Sequence, residues 1–178
     1  MLMRVNRIIF KWKNRIWVII FLIIFPCWSA VADCWNLASQ HFNIEKKLLV
    51  SIAKVESGMK MQAVGINDNG TKDYGLMQIN SSHLNWLKKQ GIDEDMLLSD
   101  PCVSILTGAY ILRDMFNIYG YGWEAVGAYN AGTVKNRHAL RMNYARKVWQ
   151  SYKNSSVQGA AVPVQHWHYS LGILQAKK

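Results

Sequence analysis

Apolar residues recur at helical spacing in two strong stretches of the chain. Ile44, Leu48, Leu49, Ile52 and Val55 fall on one face of a 3.6-residue turn, which predicts a helix over residues 44–57 with Asn43 as N-cap and Gly58 as stop. Cys102, Ile105, Ala109, Leu112 and Phe116 predict a second, longer and central helix, opened by Asp100-Pro101 and closed by Gly120. Shorter helices fit residues 34–42, 82–90, 122–130 and 139–153, the last through Leu140, Tyr144, Val148 and Tyr152 at steps of four. Between the two strong helices the period changes. Residues 63–67 and 71–74 read as two short strands about the turn Asp68-Asn69-Gly70. The prediction is a mainly helical α+β domain carrying one small β-hairpin. After Lys153 periodicity ends, and residues 154–178, with the cluster His166-Trp167-His168-Tyr169, read as a loosely ordered C-terminal tail.

The charge pattern separates a different kind of segment at the start. Arg4, Arg7, Lys11, Lys13 and Arg15 precede the ten-residue apolar run Ile16 to Phe25, and Ala30-Val31-Ala32 follows it. A basic region, a short apolar core and a small-residue box describe a signal peptide over residues 1–32, cleaved after Ala32. As a helix the run would rise only about 15 Å, half of a bilayer's hydrocarbon core, so no stable membrane span is expected after cleavage. The destination this implies is the periplasm. Of 178 residues, 21 are Lys or Arg and 11 are Asp or Glu, a formal net charge of +10. Loss of the five early basic residues leaves 16 against 11, a mild +5, so half of the basicity belongs to targeting. No basic cluster is interleaved with stacking aromatics, which argues against a nucleic-acid partner. The chain is too apolar and aromatic for disorder, and too poor in cysteine for a disulfide-dense miniprotein.

Cleavage would also remove Cys27 and leave an even pair, Cys34 and Cys102, in an oxidising compartment. A bridge between them would close a loop of about 68 residues, worth roughly 4 kcal/mol in the chain-entropy model; two buried thiols are the alternative. The five histidines, His41, His83, His138, His166 and His168, show no ligand spacing with either cysteine, and no metal or cofactor is called for.

Glu56 is the residue that asks for an explanation. It lies three after Ala53, four after Ile52 and seven after Leu49, and so projects from the apolar stripe of its helix. Burial disfavours the ionised carboxylate, and the negative end of the helix dipole acts in the same direction. Both keep the group protonated near neutral pH, as a general acid requires. A Glu paired with a buried Arg would fit the helix equally well. The hairpin tips the balance, because Asp73 ends its second strand directly before Tyr74-Gly75-Leu76-Met77-Gln78-Ile79-Asn80. Gly75 permits a bend and a close backbone approach, while Gln78 and Asn80 share strand parity and would point their amides to one side. Amides beside carboxylates suit a sugar site, where hydroxyl and N-acetyl groups need donors and acceptors together. Ala128-Tyr129-Asn130-Ala131-Gly132, at a helix end, supplies small residues for close packing and two side chains for a groove.

Glu56-Ser57-Gly58, Gly75 to Asn80 and Ala128 to Gly132 resemble the three signature motifs of the lytic transglycosylases that share the soluble-transglycosylase (SLT) domain, over about residues 34–152. The resemblance implies a lysozyme-like fold and activity on peptidoglycan glycan strands. A small exported domain with paired cysteines is similar to the family's specialised members that accompany type III secretion systems, which implies a component of such an apparatus as partner; members serving type IV secretion and pilus assembly also resemble it. Residues 69–81 are in addition similar to the active-site hairpin of animal c-type lysozymes, which carry an aspartate at the position of Asp73. Most SLT members have one catalytic Glu and no such partner.

The mechanism implied is proton donation by Glu56 to the bond between N-acetylmuramic acid and N-acetylglucosamine, with Asp73 or the substrate's N-acetyl group stabilising the oxocarbenium-like charge. Closure by the sugar's own C6 hydroxyl gives a 1,6-anhydro product; attack by water gives hydrolysis. The resemblance also implies supporting roles. Ser57 would orient Glu56, Gly75 to Gln78 would form a groove wall with Met77 beneath a sugar, and Gln78 and Asn80 would bond its substituents. Tyr129 and Asn130 would line the opposite side. Tyr144 would reach the catalytic acid, or else be an ordinary core tyrosine.

Overall fold

The computed structural model describes residues 27–155. Contacts divide the chain into Met1–Ala32 and Asp33–Lys178, and the architecture below is that of the second unit. The expected signal peptide, up to residue 26, and the expected tail, from residue 156, lie outside the described residues. No described helix is long and apolar enough to cross a membrane.

Seven α-helices and a small antiparallel sheet make up the described residues: α1 (Cys27–Phe42), α2 (Lys46–Ser57), β1 (Val64–Ile66), β2 (Lys72–Tyr74), β3 (Ile79–Asn80), α3 (Leu84–Lys89), α4 (Glu94–Ser99), α5 (Pro101–Tyr119), α6 (Trp123–Ala131) and α7 (His138–Asn154). The mainly helical reading holds. Helix α2 buries Leu48, Leu49, Ile52 and Ala53, and Gly58 ends it in the left-handed conformation with its N–H on the Lys54 carbonyl. Its start departs from expectation. Asn43 is not the N-cap but takes φ 53° after α1, a conformation asparagine tolerates, and Glu45 precedes the first helical residue. Helix α5 is opened by the Asp100 carboxylate, which accepts from the Cys102 N–H at 2.8 Å, with Pro101 in the first turn.

The hairpin is one part of a three-stranded sheet, β1-β2-β3. Asp73 stands opposite Gly65 on one side and Asn80 on the other. The third strand, two residues long, is too short to show a period in the sequence. Helix α4 was likewise unannounced, being only six residues long, although Asp93 caps it by accepting from the Met96 N–H at 2.9 Å. Two glycines set how the sheet meets the helices. Gly75 bends the chain at φ 75°, and a Cβ there would lie 2.1 Å from the Leu97 carbonyl oxygen of α4. A Cβ at Gly108 on α5 would lie 2.8 Å from Met77, so Met77 is fully buried against α5. Its N–H donates to the buried Ser104 hydroxyl at 3.0 Å.

A Cys34–Cys102 disulfide, with Cα atoms 5.4 Å apart, ties α1 to the first turn of α5. Helices α6 and α7 meet at Gly127, where a Cβ would sit 2.2 Å from the Arg141 carbonyl oxygen. Buried Arg141 completes that corner by donating to Glu124 Oε1 at 3.0 and 3.1 Å and to the Val134 carbonyl at 3.0 Å. Because the overlap at Gly127 involves backbone, neither helix can relieve it by a rotamer change. Gly127→Ala is expected to lower the unfolding free energy by about 1–3 kcal/mol, read from the urea midpoint.

Candidate active site

The end of α2, the sheet and the end of α6 enclose an open cleft of about 540 Å³. Glu56 and Asp73 both line it, with Gln78, Asn80, Tyr129 and Asn130 from the residues singled out in the sequence. Glu56 reaches it from the last turn of α2, at the edge of the apolar stripe where the core gives way to the opening. Most of the carboxyl group is removed from solvent, and this burial raises its pKa from 4.5 to about 7. The Tyr144 hydroxyl, which donates to Glu56 Oε1, pulls the other way; the negative charge of Asp73 adds to the rise and Lys147 opposes it. Tyr144 is both things that the sequence allowed, a buried residue of α7 and the partner of the acid. Its own ionisation is pushed well up by burial and by the carboxylate beside it, so it serves as a donor only.

Asp73 is held by neutral donors. Asn67 Nδ2 donates to Asp73 Oδ2 at 2.9 Å and Asn80 Nδ2 donates to Oδ1 at 2.7 Å. Both amides also donate to the Thr71 hydroxyl at 3.0 Å, which in turn donates to Asn69 Oδ1 at 2.8 Å. The tip of the hairpin is thereby a fixed frame around one carboxylate. Gly65 leaves the space for it, since a Cβ there would lie 3.0 Å from Gln78 Oε1 and 3.6 Å from Asp73 Oδ2.

Several expected roles change. The Ser57 hydroxyl is directed to the Leu76 carbonyl at 2.8 Å and the Ala53 carbonyl at 3.2 Å, so it joins α2 to the Gly75–Gln78 turn rather than orienting Glu56. Gly75 and Met77 do not line the cleft; the first packs on α4 and the second fills the core against Gly108. The parity argument also fails at Gln78, which takes φ 49° in the turn before β3 and spends its amide N–H groups on the Ala63 and Gly75 carbonyls at 3.1 and 2.8 Å. Tyr129 donates to the Met77 carbonyl at 2.8 Å, which leaves its ring on the cleft wall.

Residues passed over in the sequence also line the cleft, among them Asn67, Thr71, His83, Ile111 and Arg137. One signal was available for the first two. They flank the predicted Asp68-Asn69-Gly70 turn, and the backbone pairs them through Asn67 N–H to the Thr71 carbonyl at 2.9 Å. His83 follows β3 in a short 3-10 turn; burial lowers its pKa, Asp73 partly offsets this, and its Nδ1 accepts from Trp86 Nε1 at 3.4 Å.

The raised Glu56 ionisation has a consequence for stability. Between about pH 4.5 and 7 the native state keeps a proton that the unfolded chain has released, so stability falls as pH rises through that window. The shift corresponds to about 3 kcal/mol. Urea unfolding of Glu56→Gln beside the parent, at about pH 4 and pH 8, is expected to show the difference moving in the variant's favour by about that amount at the higher pH.

Comparison with known proteins places this cleft in context. The transglycosylase SLT domain model matches residues 33–152. The chain is 57% identical over 125 residues to the invasion protein IagB of Salmonella typhimurium, covering 70% of this chain and 78% of that protein. It is 47% identical over 121 residues to protein IpgF of Shigella flexneri, covering 68% and 80%. It is also 42% identical over 135 residues to the X polypeptide of Escherichia coli, covering 74% and 80%. With a matched domain that spans the helices, the sheet and the whole cleft, this chain belongs to the transglycosylase SLT family.

Proposed function

We propose that this protein is a peptidoglycan lytic transglycosylase, exported by the cleaved signal peptide of residues 1–32, with a catalytic domain over 33–153 and a C-terminal tail from 154. It works in the periplasm, where it opens the wall locally for a type III secretion apparatus. The observation that carries the chemical part is Glu56, a carboxyl group with a pKa of about 7 in a cleft that also holds a second, rigidly framed carboxylate. Similarity to a protein named for invasion supports the cellular part.

A group titrating near 7 is protonated in a large fraction of molecules at neutral pH and can give its proton to a glycosidic oxygen. As the bond from the muramic C1 to that oxygen breaks, positive charge develops on the ring. Asp73 faces the same space, and its amide frame holds the carboxylate still without a cation that would cancel its charge. It stabilises the developing charge electrostatically. Glu56, now ionised, takes the proton of the same sugar's C6 hydroxyl while that oxygen bonds to C1, which closes the 1,6-anhydro ring and restores the acid. The Tyr144 hydrogen bond supports the ionised form at this midpoint. Hydrolysis by water activated at Glu56 is the second reading, and the presence of Asp73 favours it because two carboxylates are what a hydrolytic glycosidase uses.

Digestion of purified peptidoglycan by residues 33–178 is expected to give products lighter by one water than hydrolytic fragments, read by mass spectrometry; full-mass products would establish the second reading. Glu56→Gln is expected to lose at least about a hundredfold in turnover, and cleavage at the parental rate would overturn the assignment. Asp73→Asn, which keeps the amide frame's shape and removes the charge, is expected to lower kcat by at least about tenfold, and unchanged turnover would make Asp73 a structural residue of the sheet. The activity of the parent is expected to decline above about pH 7 as Glu56 loses its proton before substrate arrives.

A further inference from the structure

At the far end of α2 from the cleft lies an aromatic pocket of about 260 Å³. Helix α2 carries Glu56 in its last turn, whereas Glu45, just before its first residue, stands at the pocket, so the length of the helix, about 18 Å, separates the two sites. The end of α5, the start of α6 and the last turns of α7 supply the other walls. Their rings are already held in place. Tyr121 stacks on Phe116 with centroids 4.2 Å apart, and its hydroxyl accepts from the Glu45 N–H at 3.2 Å. Trp149 meets the edge of Trp123 at 5.1 Å and stacks on Tyr152 at 5.7 Å. Even so, Trp149 is 42% exposed and Tyr121 63% exposed. The Glu45 carboxylate accepts from the Tyr152 hydroxyl at 2.8 Å and, among the described residues, forms no ion pair, which leaves it acceptor capacity. The volume falls below the range of about 300–1,000 Å³ typical of small-molecule sites. A rigid ring-lined opening of this size, with one acceptor beside it, suits a single large side chain that has an apolar body and a polar edge.

We propose that this pocket is the seat of the chain's own residues 166–174, with the Trp167 indole as the anchor. Helical spacing stops at Lys153, but Trp167, Tyr169, Leu171 and Ile173 alternate with His168, Ser170 and Gly172. That alternation puts four apolar side chains on one face of an extended segment. Trp149 and Tyr152 lie in the last two turns of α7, so the chain leaves the helix beside the pocket. Twelve residues lead from Ser155 to Trp167, and a coil of that length has a root-mean-square span of about 20 Å, enough to fold back. Residues 156–165 contain no aromatic side chain, so Trp167 is the first ring along the tether that can fill the opening. Tethering presents it at an effective concentration of about millimolar, which a separate partner in solution does not match. A second copy is a poorer occupant, because an opening the size of one side chain is far from the roughly 1,200 Å² that a stable interface buries. A buried indole needs an acceptor for its N–H, and Glu45 supplies one. The proposal does not depend on the chemistry assigned to Glu56 and Asp73.

A nitroxide attached at Ser170→Cys, on the polar face of the alternation, locates the segment in residues 33–178, where Cys34 and Cys102 are bridged and only the new thiol reacts. The label is expected to broaden the backbone amide resonances of Tyr121, Trp123 and Trp149 and to leave those of Asn67 and Thr71 in the hairpin sharp. Trp167→Ala in the labelled chain is expected to lower the docked population at least about tenfold and restore the broadened signals, with the rest of the spectrum reporting that the fold is kept. Trp149→Glu is the reciprocal change and is expected to give the same release. Labelled chains without isotope, mixed with unlabelled isotope-enriched chains, are expected to broaden nothing, as an intramolecular contact requires. Broadening in that mixture would make a second copy the occupant and overturn the proposal. Broadening centred on the cleft, spread evenly over the surface or absent altogether would also overturn it, and signals that stay broad after Trp167→Ala would remove Trp167 as the anchor.

Discussion

The desolvation of one carboxyl group is the constraint around which this protein is arranged. Helix α2 runs its apolar stripe into the core and carries Glu56 in its last turn, so the acid is delivered to the boundary between protein interior and cleft. Holding it there displaces its pKa from 4.5 to about 7, which costs about 3 kcal/mol at neutral pH and above. The disulfide, the buried aliphatic residues of α2 and α5 and the α6–α7 contact are the kind of stabilisation that offsets such a cost. Tyr144 moderates it. A phenol with a strongly raised pKa donates to the carboxylate without competing for its proton, so it limits the shift and keeps the group able to cycle between charged and neutral forms.

The two carboxylates of the cleft are treated in opposite ways. Glu56 is desolvated and given one donor, whereas each oxygen of Asp73 receives an amide N–H from a different strand or turn. The sheet exists chiefly to make that second environment. Its strands are only two or three residues long, far short of what would be stable alone. They persist because Gly75 lets the turn press against α4 and Met77 is locked against Gly108 on α5. Tyr129 and Ser57 bond the carbonyls of Met77 and Leu76 in the same turn. The motif residues that face away from the cleft are therefore the ones that hold the cleft-lining residues in place.

Charge is divided between the two sides of the groove. The sheet contributes acids and amides, and α7 with the turn before it contributes cations. Among the described residues one arginine is buried, Arg141, and it is committed to Glu124 and to loop carbonyls, so it shapes the corner that carries Asn130 and Arg137 rather than adding to the field in the cleft.

The sequence by itself determined the elements that have enough length to show a period. Helix α2 with its Gly58 stop, helix α5 with its Asp100-Pro101 start and α7 were legible because each repeats apolar residues over several turns. Glu56 stood out for the same reason, as a carboxylate on an otherwise apolar face, and Asp73 stood out through its place between a turn and a glycine. Strand β3, helix α4 and the start of α2 were not legible, because two or six residues carry no period and a left-handed Asn43 looks like a cap. Only the tertiary structure decided which side chains of the motifs line the cleft. Met77 and Ser57 belong to the right segment, but a close approach at Gly108 and a carbonyl across the core redirect them, and Gln78 lines the cleft with its amide N–H groups already committed by the turn at its positive φ. The same holds for the amide pair on Asp73 and for the gathering of Arg137, Arg146 and Lys147 about one cavity. Hydrogen bonds between distant segments and the sharing of charge across a cavity depend on positions in space, which spacing along a chain does not encode.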